Sequence, residues 1–165
     1  MNGLFGSILP LLLEMRGFVP KSTTLVSRIF TVAICTRNRA KLLRLCLESL
    51  ASAMREREYL VIVVDNGSTD DTRSVISDFS DELNIRRGFE PVAGLSRARN
   101  RALKECNTEY IVFLDDDARP DPGWIDAIET GIEAWDPDFF GGPYRPFYLQ
   151  EKPPWFEDEF GSQYV

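Results

Sequence analysis

The sequence predicts an α/β domain whose mainly parallel sheet carries helices on both faces. Apolar runs of strand length alternate with segments of helical period, and right-handed crossovers join such strands into a parallel sheet. Two of the runs, Tyr59–Val64 and Tyr110–Leu114, are apolar at nearly every position, as expected for strands covered on both faces. The length of 165 residues suits one domain, since a domain of roughly 150 residues buries about 70% of the surface that its unfolded chain exposes.

The predicted elements follow one another in a regular order. The first strand is Ile29–Cys35, and a short helix near Thr72–Phe79 and a weak strand at Asn84–Phe89 lie further along. Pro122 stands where a first-turn proline belongs, which predicts a last helix from there to about Trp135. Apolar residues at helical spacing predict two longer helices. They are Leu43, Leu47, Leu50 and Met54 for the first, and Leu95, Ala98, Ala102 and Cys106 for the second.

Composition and charge exclude several classes of protein. With 26 acidic and 19 basic side chains the net charge is -7, which argues against a nucleic-acid partner but allows a specific nucleotide pocket. The chain has no histidine, so a Ser/His/Asp triad and the usual His-based zinc sites are excluded within it. Cys35, Cys46 and Cys106 lack CxxC spacing and sit in apolar patterns. This usage fits a reducing, cytoplasmic location.

Residues 1–27 are interpreted as an N-terminal extension. Their apolar run, Gly3–Leu13, is shorter than the about 20 residues that span a bilayer, and neither the charge pattern nor the cleavage site of a signal peptide is evident. Two interpretations stay open. The extension packs a few leucines on the body, or it forms a helix that lies on a membrane surface, in which case the protein touches the inner face of the plasma membrane.

Three consecutive aspartates, Asp115–Asp117, directly follow a buried strand. Their mutual repulsion is costly unless a cation neutralises it. Carboxylate oxygens suit Mg²⁺ or Mn²⁺, and such ions are usually held by one or two carboxylates together with substrate phosphates. The segment therefore predicts a metal site. The alternative is a solvated acidic turn that caps the next helix.

Other polar residues gather at the carboxyl ends of the predicted strands, where ligands of parallel α/β sheets bind. Asp65 and Asn66 follow the second strand and are placed to accept from a base N–H or a ribose hydroxyl, although such turn-forming residues also commonly bond their own backbone. Arg97, Arg99 and Arg101 form either a solvated helix face or, where they turn toward the acidic loop, ligands for phosphates.

Four segments together resemble the family 2 glycosyltransferases, which have the Rossmann-like GT-A fold. They are TVAICTRNRAKLLRLCLESL, VIVVDNGSTDDT, GLSRARNRAL and EYIVFLDDDARPDPGWI, in the order and approximate spacing of the family. The resemblance covers about Ile29 to Gly142. It implies transfer of a sugar from a nucleoside diphosphate to a hydroxyl of a glycan or lipid-linked acceptor, usually with inversion and with Mn²⁺ or Mg²⁺, in polysaccharide or glycoconjugate biosynthesis.

The resemblance also implies roles for individual residues. Thr36 and Arg37 would contact the nucleotide, and Asp65 and Asn66 would contact its base. Asp117 would be the direct metal ligand, aided by Asp115 at the other end of the family's DXD motif. The remaining residues implied in nucleotide-sugar binding are Gly94, Arg99, Asn100, Asp115, Asp116, Gly141 and Gly142.

Three regions are expected along the chain. Residues 1–27 form the extension, residues 28–142 the nucleotide-sugar-binding domain, and residues 143–165 an irregular start of the acceptor-side region. In the family the general base lies in a later acidic motif, and Glu157, Asp158 and Glu159 come too early to inherit that role. We therefore expect a truncated transferase whose GT-A domain is incomplete at the C-terminus. The alternative is a catalytically inactive fragment that binds a nucleotide sugar or metal but lacks the general base.

Overall fold

The computed structural model describes residues 29–55, 57–148 and 151–156. The chain divides into two compact units, one ending at Ile125 and the other beginning at Asp126. The first unit holds the whole described sheet. The predicted N-terminal extension lies outside the described residues, as do Glu157, Asp158 and Glu159.

Four strands alternate with four helices along the described chain. The strands are β1 (Phe30–Thr36), β2 (Leu60–Asp65), β3 (Ile85–Phe89) and β4 (Tyr110–Asp115). The helices are α1 (Ala40–Met54), α2 (Thr72–Asp78), α3 (Leu95–Glu105) and α4 (Trp124–Trp135). These elements confirm the predicted kinds and order. The prediction that α4 opens at Pro122 is wrong by two residues. The helix begins at Trp124, and Pro122 lies in a turn in which the Trp124 N–H donates to the carbonyl of Asp121 at 2.9 Å.

The described sheet is parallel throughout, with the strand order β3-β2-β1-β4. The register sets Thr36 of β1 beside Asp65 of β2, and Cys35 of β1 beside Asp115 of β4. Three strands therefore end at one edge of the sheet, and the polar segments that follow them leave from that edge. The predicted fold class, a parallel sheet with helices, is confirmed.

One face of the sheet is covered by α3. Ala98 and Ala102 of this helix pack in one buried cluster with Ala33, Ile62 and Val64 of the two central strands. Because the alanines are small, the helix backbone comes close to the sheet and its first turn sits beside the strand ends.

The opposite face of the sheet is buried as well. Phe30, Val32 and Ile34 of β1, which point away from the α3 face, are at most 1% exposed. On this side α2 contacts β2 and α1 packs on α2. The buried side of α1 consists of Leu43, Cys46, Leu47, Leu50, Ala53 and Met54, which includes the four residues whose spacing predicted this helix.

The second unit begins within α4 and continues as irregular structure. Residues 140–148 and 151–156 contain only an isolated bridge at Tyr144 and a turn, which agrees with the absence of a clean period in this part of the sequence. Inside the unit, a Cβ added to Gly131 would lie 3.2 Å from the ring of Phe140, so helix and ring are in close contact. Among the described helices, none combines the length and the apolar character needed to cross a membrane.

Candidate functional site

A pocket of about 440 Å³ opens at the carboxyl ends of β1 and β4, beside the first turns of α3. This volume is in the range of small-molecule sites, roughly 300 to 1,000 Å³. The lining residues are Cys35, Thr36, Arg37, Arg39, Asn66, Gly94, Leu95, Ala98, Arg99, Asp115, Asp116 and Asp117. The pocket thus lies at the sheet edge where the sequence predicts a ligand.

Most residues that the resemblance implies in binding meet in this pocket, namely Thr36, Arg37, Asn66, Gly94, Arg99, Asp115, Asp116 and Asp117. Asp65 ends β2 and is nearly buried, and Asn100 lies exposed on α3; neither lines the pocket. Gly141 and Gly142 belong to the second unit, where an added Cβ would meet no described atom within 4 Å. The binding roles implied for all these residues stay predictions.

The acidic loop, Asp115–Asp117, is held both by the backbone and by charge. The Ala118 N–H donates to the carbonyl of Asp115 at 3.0 Å, which turns the chain directly after β4. Asp115 points outward, and its Oδ1 lies 3.3 Å from Nη2 of Arg99. That guanidinium also sits over the ring of Phe113, 5.5 Å from its centroid. Arg99 is therefore fixed between β4 and the acidic loop.

Arg39 is a pocket residue that the sequence analysis did not single out. It precedes α1, and its Nη1 donates to Oδ1 of Asp116 at 2.8 Å and to Oδ2 of Asp117 at 3.0 Å. The hydrogen bond and the charge of Asp116 raise the pKa of Arg39 above its ordinary value. The sequence did contain a signal for Arg39, because it is a basic residue in the short loop that joins the first strand to the next helix.

The loop after β1 is tied to the loop after β2. The Asn38 N–H donates to Oγ of Ser68 at 3.0 Å, and the Thr69 N–H donates to Oδ1 of Asn38 at 2.7 Å. The Ala40 N–H at the start of α1 donates to Oδ2 of Asp70 at 3.0 Å. Asn38 has a φ of 52°, a left-handed conformation that asparagine tolerates better than most residues. Two neighbouring strand ends thus form one hydrogen-bonded unit.

Asn66 organises the segment that leads into α3. Its Nδ2 donates to the carbonyls of Glu90 at 2.9 Å and Val92 at 2.8 Å, and its Oδ1 accepts from the Gly94 N–H at 2.8 Å. Gly94 has a φ of 149°, which residues with a Cβ rarely adopt. The side chain of Asn66, which is 4% exposed, therefore fixes one wall of the pocket by holding the backbone of another loop.

Thr36 presents an unmatched polar group at the pocket. The residue is 3% exposed, and its Oγ1 has no hydrogen-bond partner among the described residues. A buried hydroxyl without a partner costs about 1 to 3 kcal/mol, and such groups in native proteins are usually met by a ligand or an ordered water. Thr36 therefore brings an unsatisfied hydroxyl to the lining of the pocket.

The two cysteines near the site are ordinary thiols at neutral pH. Burial raises the pKa of Cys35 to about 11, against the lowering effect of Arg99, and burial raises the pKa of Cys46 to about 12. Cys46 also donates to the carbonyl of Asp115 over 3.5 Å. Since the thiolate is the reactive form, neither residue is suited to act as a nucleophile.

The donor set of the acidic loop fits a hard cation only in part. Across residues 29–55, 57–148 and 151–156, no group of three or more His, Cys, Asp or Glu side chains is arranged to hold a metal ion. Asp115 and Asp117 nevertheless expose carboxylates into the pocket. A magnesium-type site needs only one or two carboxylates when phosphate oxygens supply further ligands. The residues present thus fit a cation that arrives with a phosphorylated ligand.

A parallel α/β sheet with a charged pocket at its carboxyl edge is typical of nucleotide-binding proteins. Residues 31–160 match the family model described as Glycosyl transferase family 2. The chain belongs to this family, so the predicted family is confirmed.

Known proteins agree with this assignment. The chain is 32% identical over 99 residues to chondroitin synthase of Escherichia coli, covering 59% of this chain and 14% of that protein. The structure of S. aureus TarS 1-349 in complex with UDP-GlcNAc superposes with a TM-score of 0.57 at 28% identity, over 64% of this chain and 31% of that one. The mannosyltransferase PcManGT from Pyrobaculum calidifontis, in complex with GDP-Man and Mn²⁺, superposes with a TM-score of 0.56 at 27% identity. The match covers 70% of this chain and 34% of that one. The predicted GT-A fold is thereby confirmed, and the chain spans about a third or less of these relatives.

Proposed function

We propose that this chain binds a nucleoside diphosphate sugar and a divalent cation in the pocket, and that it takes part in sugar transfer to an acceptor hydroxyl. Family membership supports the reaction class. The complexes of TarS with UDP-GlcNAc and of PcManGT with GDP-Man and Mn²⁺ support the ligand class. The similarity to chondroitin synthase supports polysaccharide biosynthesis as the setting, with a glycan or lipid-linked acceptor.

The observation that carries the proposal is the charge balance of the pocket. Arg37, Arg39 and Arg99 face the three aspartates of the acidic loop across one small volume. A nucleoside diphosphate sugar carries two negative charges on its diphosphate, and a divalent cation brings two positive ones. Bound together they leave the balance unchanged, whereas either one alone adds uncompensated charge. The pocket is therefore suited to the pair and not to a single partner.

Different residues would bind the cation and the nucleotide. Asp115 and Asp117 would hold the cation, whose charge would neutralise the diphosphate as it leaves. Arg37 and Arg99 would donate to phosphate oxygens, as guanidinium groups do with good geometry. The orphaned hydroxyl of Thr36 would find its partner on the nucleotide.

Two further residues would act on the nucleoside side of the ligand. Asp65 would contact the base or ribose from the end of β2. Asn66 would support that side by keeping the segment before α3 in place.

We place this reaction in the cytoplasm. Cys35, Cys46 and Cys106 are free, which supports a reducing compartment. Contact with the inner face of the plasma membrane through residues 1–27 stays a prediction, because these residues lie outside the described part of the chain.

Calorimetric titration tests the ligand and the cation together. UDP-GlcNAc and GDP-mannose are titrated into the protein in Mn²⁺, in Mg²⁺ and in EDTA, and we expect binding only where a divalent cation is present. Asp117→Asn should remove most of the cation-dependent affinity. Asp81→Asn is the matched control, since Asp81 is an exposed carboxylate outside the pocket and should bind as the unmodified protein does.

Two results would contradict the proposal. Equal affinity in EDTA and in Mn²⁺ would show that Asp115 and Asp117 do not act through a cation. Failure of a broad panel of nucleoside diphosphate sugars to bind under any condition would remove the ligand assignment altogether. Release of nucleoside diphosphate with a mixed pool of glycan and lipid-linked acceptors then measures transfer, and the absence of acceptor-dependent release would leave a donor-binding protein.

A further inference from the structure

Arg39 bridges two carboxylates that differ sharply in their surroundings. The side chain of Asp116 is 6% exposed and that of Asp117 is 46% exposed, while Arg39 itself is 48% exposed. The bond from Nη1 to Asp116 is 2.8 Å and the bond from Nη1 to Asp117 is 3.0 Å. One end of the bridge is therefore fixed inside the protein, and the other end is open to solvent.

The two ends differ in how readily they can be broken. A buried carboxylate that loses its partner is left as an uncompensated charge, which is strongly destabilising. An ion pair between exposed groups contributes little to stability. Arg39 can therefore release Asp117 at little cost while it keeps Asp116.

Asp117 is also one of the two carboxylates that the proposed function gives to the divalent cation. The guanidinium of Arg39 and the cation thus need the same carboxylate. Either positive charge would reduce the repulsion among the carboxylates of the acidic loop. Without either of them, three adjacent carboxylates would lie at one strand end, where Arg99 pairs with Asp115 alone among the described residues.

We propose that Arg39 is an internal counter-ion, which takes the place of a divalent cation at Asp117 in the unliganded protein and gives Asp117 up when a cation binds. The inference rests on the proposed function in so far as Asp117 is the cation's ligand. It assigns to Arg39 a positioning role that keeps the acidic loop folded before any ligand arrives. It also makes a free cation a poor ligand, because the cation has to displace the guanidinium without help from phosphate oxygens.

The test measures Mn²⁺ alone, in the absence of nucleotide, by electron paramagnetic resonance of the free ion. Arg39→Met removes the competitor, and we expect it to bind Mn²⁺ about fivefold more tightly than the unmodified protein, the equivalent of one exposed ion pair. Arg44→Met is the matched control. Arg44 lies on α1, is 43% exposed and pairs with Asp78, so its loss lowers the net charge equally and should change Mn²⁺ affinity less than about twofold.

Thermal unfolding gives a readout that does not depend on activity. In EDTA, Arg39→Met should unfold at a lower temperature than the unmodified protein, because the acidic loop has lost its counter-charge. Saturating Mn²⁺ should raise the unfolding temperature of Arg39→Met more than that of the unmodified protein. Arg44→Met should gain no more from Mn²⁺ than the unmodified protein does.

Arg39→Lys keeps the inference open to test if Arg39→Met does not fold. A lysine ammonium is a single point of charge and lacks the planar fork of a guanidinium. It should keep the buried Asp116 and hold Asp117 less well. We expect Arg39→Lys to bind Mn²⁺ more tightly than the unmodified protein and less tightly than Arg39→Met.

The outcomes separate this inference from the proposed function. Equal or weaker Mn²⁺ binding by both Arg39 variants would overturn the counter-ion role, even where UDP with Mn²⁺ binds to the unmodified protein as proposed. Tighter Mn²⁺ binding by these variants supports the role. If no nucleoside diphosphate sugar of the panel binds in Mn²⁺, the proposed function is wrong, and the Mn²⁺ titrations still decide whether Arg39 and the cation compete.

Discussion

The two sides of the pocket are built on different physical principles. On one side, the loops after β1 and β2 and the segment before α3 are joined by hydrogen bonds, most of which involve backbone groups, through Asn38, Asn66 and Asp70. On the other side, the acidic loop after β4 is held by guanidinium groups of Arg39 and Arg99. The hydrogen bonds of the first side form when the chain folds. The exposed ion pairs of the second side can be replaced by interactions with a charged ligand.

The difference is greatest at Asn66. Its buried amide makes three hydrogen bonds to the segment before α3, and a buried polar group that loses its partner costs its desolvation free energy. An ion pair at the surface competes with water and salt at all times. The hydrogen-bonded side should therefore lose stability when Asn66 is changed. On the acidic side, a change to the exposed pair of Arg99 and Asp115 should leave stability nearly unchanged and lower ligand affinity, whereas Arg39 also neutralises the buried Asp116.

The largest effect should come from breaking the hydrogen-bonded side at Asn66. Asn66→Ala leaves the carbonyls of Glu90 and Val92 and the N–H of Gly94 without their partner, and we expect the free energy of unfolding to fall by about 3 kcal/mol. Urea unfolding measures this change. Asn84→Ala is the control, since Asn84 is exposed and its loss should stay within about 0.5 kcal/mol. Equal costs for the two variants would contradict the role of Asn66.

An intermediate effect should come from the acidic side and appear in binding alone. Arg99→Met should weaken binding of UDP in Mn²⁺ about tenfold, equivalent to about 1.4 kcal/mol, because a proposed donor to the phosphate oxygens is lost. The free energy of unfolding should change by less than about 0.5 kcal/mol, since Arg99 and Asp115 are exposed.

Arg101→Met is the matched control for that variant. Arg101 lies on the same helix, is similarly exposed and pairs with Glu105, and calorimetry should show UDP affinity unchanged. A large loss of stability in Arg99→Met would show that the two sides do not differ in the way described.

The smallest effect should come from the charge of Asp70 on the hydrogen-bonded side. A hydrogen bond from the Thr72 hydroxyl, and next the N–H of Ala40, lower the pKa of Asp70 below 3.8. Ionised Asp70 therefore contributes stability above about pH 4, and this contribution is lost as the pH falls through its folded pKa.

Asp70→Asn keeps an acceptor without the charge, and we expect it to lower the free energy of unfolding at pH 7 by less than about 1 kcal/mol, because Asp70 is exposed. The difference from the unmodified protein should shrink as the pH falls through the folded pKa of Asp70. Chemical unfolding at pH 7 and in acid measures it. A difference that persists at low pH would mean that shape, and not charge, is responsible.

Much of the fold could be predicted because local pattern and global structure agree. The apolar stripe on α1 and the continuous apolar runs of β2 and β4 place each element without reference to the rest of the chain. Pro122 misled the prediction because a first-turn proline and a turn proline share the same φ. Only the hydrogen bond between Trp124 and Asp121 shows which of the two occurs here.

Eight residues of the pocket lining were predicted from the sequence, but their pairing was not. Short motifs at strand ends placed the residues near one another, since parallel strands end at a common edge. These motifs could not show that the amide of Asn66 forms its hydrogen bonds with a neighbouring loop. Nor could they show that Arg39 bonds to two aspartates more than 70 positions away in the chain. Such pairings depend on side-chain reach in three dimensions, which no local spacing encodes.

The outer edge of β3 has a consequence for behaviour in solution. No described strand pairs with that edge, and open strand edges invite pairing with another molecule. Arg86 and Arg87 project from opposite faces of this strand, and their guanidinium groups reach the carbonyl of Glu105 and the hydroxyl of Ser77. A second copy that approached edge to edge would bring like charges together on both faces. We therefore expect the two arginines to discourage edge-to-edge pairing at β3.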